Sequence, residues 1–242
     1  MGQEQAETAS ALRGGSTDFF NPLSFTRDEM EDIADVLSDA GSDVNSVEGS
    51  DGVENRVKEL SGTDVSVLHL ATHGAFKGEP AVKSGTAEDL ERSMNLSFLA
   101  MSGINNPTRL RRTYSDSDGR LTAREISNLD LSHVDLVVMS ACESGLGQIN
   151  ADGVFGLQRG FKLAGAKTLV MSLWKVNDKA TRVMMTEFYK ALAAGDSKTT
   201  AFSKAQKVVR SGNYPNYDAD GNPLPDRPGT DPAIWSAFVM MD

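Results

Sequence analysis

The chain has a single cysteine, Cys142, in 242 residues. One thiol rules out an internal disulfide and a thiolate-rich metal site. A reducing, cytoplasmic setting is the expectation that follows. Long apolar runs are also missing. None approaches the roughly 20 residues that cross a bilayer. Positive charge is in deficit: 24 Lys and Arg stand against 34 Asp and Glu, a net charge of −10. That balance argues against nucleic acid and membrane surfaces as partners. The opening Met-Gly-Gln-Glu-Gln-Ala-Glu is polar and acidic, so no secretory signal is expected. Ala6 stands where a myristoylation motif needs Ser or Thr.

Several motifs are present only in part. Gly145-Leu-Gly147 lacks the third glycine of a dinucleotide fingerprint. Ser144 does not sit in a Gly-x-Ser-x-Gly frame, which disfavours a serine hydrolase. Asp116-Ser-Asp-Gly119 and Asp218-Ala-Asp-Gly221 each resemble half of a calcium loop. Neither has the third acidic position or the closing Glu, so both read as turns. No metal or organic cofactor is expected.

What the chain does have is two apolar runs that end in chemistry. Val134 to Met139 is rich in β-branched residues and reads as a buried strand. It runs into Ser140-Ala-Cys142 and a turn rich in Gly and Ser. Val65-Ser-Val-Leu-His-Leu-Ala71 is a second strand, followed by Thr72-His73-Gly74. Open α/β sheets place their chemistry at the carboxyl ends of parallel strands. A thiol at one such end and an imidazole at another make the core of a cysteine-nucleophile site.

Residues 1–22 read as a polar tail or linker, and residues 23–242 as one domain. Thr26-Arg-Asp-Glu29 has capping-box spacing, and Met30, Ile33, Ala34 and Leu37 follow at helical spacing. Residues 43–48 are expected to form a short edge strand, and Val53 to Leu60 a second helix. Residues 77–93 read as a loop, and Met94 to Met101 as a strand. Asn105 to Gly119 is expected to be exposed. Thr122-Ala-Arg-Glu125 is another capping box. Gly153 to Ala164 is helical, with Gly165 at its C′ position. Lys167 to Trp174 is a buried strand. Asp178 caps a helix through Leu192, and Thr199 or Thr200 starts another. Residues 212–232 are a loop, and Ile234 to Met240 is an apolar segment, helix or strand. The alternation of strands and helices predicts a largely parallel sheet covered on both faces.

Five blocks in order carry a resemblance. They are Leu68-His-Leu-Ala-Thr-His-Gly-Ala75, Leu121-Thr-Ala-Arg-Glu-Ile126, Val137-Val-Met-Ser-Ala-Cys-Glu-Ser-Gly-Leu-Gly147, Gly165-Ala-Lys-Thr-Leu-Val-Met-Ser-Leu-Trp-Lys-Val-Asn-Asp178 and Pro232-Ala-Ile-Trp-Ser-Ala-Phe238. Together they resemble the CHAT domain, a caspase-like cysteine peptidase module related to separase. The resemblance implies a three-layer α/β/α sandwich with a mostly parallel central sheet. It also implies cleavage of a protein substrate by a His–Cys dyad, His73 and Cys142 by motif position. The backbone amides of Gly74 and Cys142 would form the oxyanion hole. The Leu-Trp-Lys-Val-Asn-Asp block resembles the segment around the substrate-reading acid of separase, which maps onto Asp178. A complete caspase-like sheet begins with a strand before the first helix, and residues 1–22 hold no apolar run for it. Either the chain is part of a longer protein or this member lacks that strand. CHAT modules commonly follow helical-repeat sensor regions, so a separate sensor protein of that type is an expected partner.

Each of these residues also has a plainer reading. A lone cysteine ending an apolar strand is usually a small buried hydrophobe. His73 beside Gly74 is compatible with a simple turn. Asp178 at a helix start is an ordinary N-cap, or the carboxylate of a pocket for a basic side chain. Asp152 is a weaker candidate for the same pocket. Trp174 is a core residue or a wall of that pocket. His69, between Leu68 and Leu70, points by alternation towards a helix layer and reads as structural. Three functions stay open: a cysteine endopeptidase, a caspase-like scaffold without turnover, and an acyltransferase or amidase using the same dyad.

Overall fold

The structure is a computed structural model. It describes residues 19–20, 23, 26–76, 86–106, 118–140, 151–174, 178–212 and 232–242, with backbone alone at 89–90, 151–155, 178 and 233. The elements run α1 (Thr26–Asp39), a 3₁₀ turn (Gly49–Asp51), α2 (Glu54–Lys58), β1 (Val67–Leu70), β2 (His73–Phe76), α3 (Ala87–Leu96), β3 (Ser97–Ala100), β4 (Arg120–Thr122) and α4 (Ala123–Ile126). Then come β5 (Leu136–Met139), α5 (Ala151–Leu163), β6 (Thr168–Ser172), α6 (Asp178–Ala193), α7 (Lys198–Ser211), α8 (Pro232–Trp235) and β7 (Phe238–Met241).

Two sheets form. The main one has the order β1-β5-β6-β7. Its first three strands are parallel, and β7 joins β6 antiparallel at the edge. The second sheet, β2-β3-β4, is antiparallel throughout. Alternation along the parallel strands divides the core. Leu68, Leu70, Val137, Met139, Leu169 and Met171 face Met94 of α3, Ile126 of α4 and Leu157 and Phe161 of α5. Leu136, Val138 and Val170 face the other way, onto Ile33 of α1, Met184 and Phe188 of α6 and Phe202 of α7. Helices therefore cover both faces of a mostly parallel sheet, the α/β/α sandwich that the strand–helix alternation predicts. Burying Phe161 and Phe188 to 0% exposure contributes about 1.5–3 kcal/mol each.

Helix α5 lies unusually close to its neighbours. A Cβ on Gly156 would overlap the Ser97 hydroxyl, and one on Gly160 would press on the Ala123 carbonyl. On the other face Arg182 of α6 clamps α1, with Nε 2.6 Å from Asp32 Oδ2 and Nη1 2.7 Å from Asp28 Oδ2. Gly165 closes α5 at φ +99°, the left-handed position that glycine occupies without strain. Thr122 makes the expected capping box: Glu125 N–H donates to its hydroxyl and Glu125 takes the Thr122 N–H.

Some expectations fail. Residues 43–48 pair with no strand among the described residues. Val44 and Val47 are three apart, so period-two alternation cannot put both on one face. Within the expected loop 77–93, residues 87–93 belong to α3, which runs into β3 with no turn between them. The expected strand Met94–Met101 shrinks accordingly to Ser97–Ala100. Helix α7 starts at Lys198, capped by the Ser197 hydroxyl on Thr200 N–H, and not at Thr199 or Thr200. Gly119, expected in an exposed stretch, is buried, and its N–H donates to Glu54 at 2.6 Å. Glu29, expected to complete a capping box, is 4% exposed and turned onto His69. Among the described residues no helix is long and apolar enough to cross a membrane.

Candidate active site

The parallel register sets the geometry of the site. Leu70 of β1 pairs with Met139 of β5, and Met139 pairs with Met171 of β6. His73 lies three residues past Leu70, and Trp174 three residues past Met171. Cys142 occupies the same offset from Met139 in sequence, but it lies outside the described residues. All three positions follow the carboxyl ends of neighbouring parallel strands.

His73 opens β2, where the chain leaves the main sheet for the small one. Thr72 fixes this crossing by donating its hydroxyl to the Ala100 carbonyl at 2.5 Å, and His73 itself pairs with Ala100. The imidazole is 6% exposed. One side of it meets the Phe20 ring at 5.6 Å. Gly74 follows within β2, opposite Leu99 of β3. A side chain that is buried, sheet-anchored and packed against an aromatic ring has a narrow range of orientations. That is the condition a proton-transferring imidazole needs.

Four residues earlier in the chain, His69 of β1 centres a buried polar network. His69 points away from Leu68 and Leu70, towards α1 and α6. Its Nε2 is 3.0 Å from Glu29 Oε1 and its Nδ1 is 3.1 Å from the Tyr189 hydroxyl. The Ser140 hydroxyl stands 3.4 Å from the same Nε2. Glu29 and Ser140 are buried, and Tyr189 is 0% exposed. Burial drives the Tyr189 phenol far above its usual range, so it stays neutral. The network joins α1 and α6 to β1 and to the residue that follows β5, two positions before Cys142 in sequence. His69 thus has the structural role expected of it. Local spacing gives Glu29 only a capping role and Tyr189 and Ser140 none, because their contacts to His69 span 40, 120 and 71 residues.

The remaining candidates are placed by backbone. Asp178 is the first residue of α6 and Asp152 the second of α5, so both acids stand in first helical turns. Trp174 is half-buried and packs against the α6–α7 core. His133 is exposed at the amino end of β5, away from the other two histidines' strand ends.

Comparison with known proteins agrees with this architecture. The chain is 30% identical over 203 residues to tetratricopeptide repeat protein 28 of Homo sapiens, and equally to that of Mus musculus. The match takes in 80% of this chain and 8% of each relative, so it spans a small part of their length. The CHAT domain model matches residues 2–242, and the chain belongs to the CHAT domain family.

Proposed function

We propose that the chain is a cysteine endopeptidase acting through a dyad of Cys142 and His73. The observation that carries the reading is the register. Leu70 and Met139 are paired on adjacent parallel strands, and His73 and Cys142 are equally far beyond them. Cys142 attacks the scissile carbonyl as thiolate, and His73 gives its proton to the leaving amine. The N–H groups of Gly74 and Cys142 hold the oxyanion. Helix α5 begins nine residues after Cys142, and its amino end favours the thiolate. Asp178 reads a basic side chain before the cut, Asp152 is the weaker candidate for the same role, and Trp174 walls the pocket. The compartment is the cytoplasm, where the thiol stays reduced. The likeness to tetratricopeptide repeat proteins supports a helical-repeat region, on the same or a separate chain, as the regulator.

An electrophilic peptide probe tests this reading. A peptidyl acyloxymethyl ketone should label wild type at Cys142, label His73→Ala weakly and leave Cys142→Ala untouched. Peptide turnover retained by a folded Cys142→Ala variant would overturn it. A protein that stays inert to the probe with every repeat-containing partner present would be a scaffold.

A further inference from the structure

The fold splits the aromatic pair Phe19-Phe20. Phe19 is 63% exposed, whereas Phe20 is 7% exposed. The Phe20 ring lies against His73 at a tilt of 46° and meets Phe98 edge-on, centroids 6.1 Å apart. Ala100 and Ile104 complete its apolar seat. The main chain of Phe20 is held at both its polar groups. Its N–H donates to Asn105 Oδ1 at 3.0 Å, and Asn105 Nδ2 donates to its carbonyl at 2.8 Å. Asn105 follows β3, and β3 in turn pairs with the strand that His73 opens. One carboxamide thus ties the stretch that leads into the domain to the sheet that carries the imidazole.

We propose that Phe20, clamped by Asn105, is a positioning residue for His73. This rests on the reading of His73 as the proton donor. The imidazole sits where the chain passes from one sheet to the other, and β2 anchors its backbone. Its ring orientation depends on what walls the two faces. Phe20 supplies one wall, from a segment 53 positions away in the sequence. Remove that wall and the ring gains rotamers that no longer serve proton transfer. Displacing a reacting group by about 1 Å costs on the order of 100-fold in rate. The clamp consists of two neutral hydrogen bonds, so it can be released without unfolding the sheet.

The test uses the full chain and the variants Phe20→Ala, Asn105→Ala and Phe19→Ala. Asn105→Ala removes the clamp without emptying the apolar seat, which covers the case that Phe20→Ala fails to fold. Phe20→Ala and Asn105→Ala should lower kcat by roughly 10- to 100-fold with KM within about twofold. Phe20→Leu, which refills the seat, should recover part of the loss, and the exposed Phe19→Ala should match wild type. Imidazole ring NMR, with His73 assigned through His73→Gln, should show its resonances moving in both Phe20→Ala and Asn105→Ala while those of His69 and His133 stay. Unmoved His73 resonances in folded variants would overturn the proposal, as would a raised KM at constant kcat, which would make Phe20 part of a substrate subsite. If Cys142→Ala keeps the peptide turnover, the peptidase reading has failed, and the ring spectra still decide whether Phe20 holds His73.

Discussion

The Nε2 of His69 and the Oε1 of Glu29 stand 3.0 Å apart inside the protein, with side chains 8% and 6% exposed. Removing one partner of such a buried hydrogen-bonded pair leaves the other polar group without compensation, which costs about 1–3 kcal/mol. His69→Phe should therefore destabilise the fold by that amount, since it strands the Glu29 carboxylate. Glu29→Leu with His69→Phe should recover much of the loss, because an apolar pair needs no partner. Urea midpoints of the two single variants and the double variant give the coupling. Equal losses added in full would mean that the two groups do not interact.

The acid limb of stability should carry the signature of Asp32. The hydrogen bonds from Arg182 hold its carboxyl below the usual aspartate range, against a smaller opposing effect of burial. A folded value below the unfolded one, about 3.9, means that the ionised form is favoured in the native state. The contribution is fully present above the unfolded value and lost as pH falls through the lower folded value. Both side chains are about a third exposed, so solvent screening keeps the contribution below about 1 kcal/mol. Asp32→Asn should lower stability by up to about 1 kcal/mol at pH 7 and converge on wild type at acid pH, so that the fall in stability below pH 5 is flattened. Thermal melts across that range check it, and an unchanged acid slope would remove Asp32 from the account.

Helix α5 should not tolerate side chains on its packed face. A methyl at Gly160 would press on the Ala123 backbone, which opens α4 and cannot swing aside. Overpacking of this kind costs about 1–3 kcal/mol, more than the roughly 1 kcal/mol that Ala gains over Gly in a helix interior. Gly160→Ala is expected to lower the urea midpoint, with Gly160→Val worse. A midpoint raised by Gly160→Ala would show that α5 has room to shift.

The sheet was legible wherever burial leaves a local trace. Leu68, His69 and Leu70 alternate, and the runs at Leu136–Met139 and Thr168–Ser172 are apolar throughout, because helices cover both faces of those strands. Thr122 with Glu125, and Gly165, gave helix boundaries through chemistry confined to a few neighbours. The small sheet left no such trace. Arg120–Thr122 is three residues long, and His73-Gly-Ala-Phe76 is a strand only because β3 lies beside it. Helix α3 was hidden by its charge, with Leu90 and Met94 as the only hint of an apolar face. At the candidate site, His73 was legible as the residue where β1 gives way to β2, and Cys142, read in the same way from the end of an apolar run, lies outside the described residues. Phe20 and Glu29 were not legible, since each meets its histidine across 40 or more residues of chain. The aromatic pair in an otherwise polar N-terminal stretch was the one available signal for Phe20.

Asp178 can be asked which of its two roles it fills. It is the first residue of α6, and a carboxylate in a first turn stabilises a helix by about 0.3–1 kcal/mol. Asn keeps the shape and the capping ability of Asp but not its charge. If Asp178 serves only the helix, Asp178→Asn should cost at most about 1 kcal/mol and leave the cleavage pattern unchanged. If it reads the residue before the cut, the stability change is the same, but the preference for Arg and Lys should fall. A hydrogen bond to a charged group is worth about 1.5–3 kcal/mol, so the fall should be roughly 10- to 100-fold. Profiling a peptide library with wild type and Asp178→Asn, beside their melting curves, separates the two. The expected outcome is a lost basic preference at nearly unchanged stability. An unaltered profile would return Asp178 to the helix and leave Asp152 as the acid to test next.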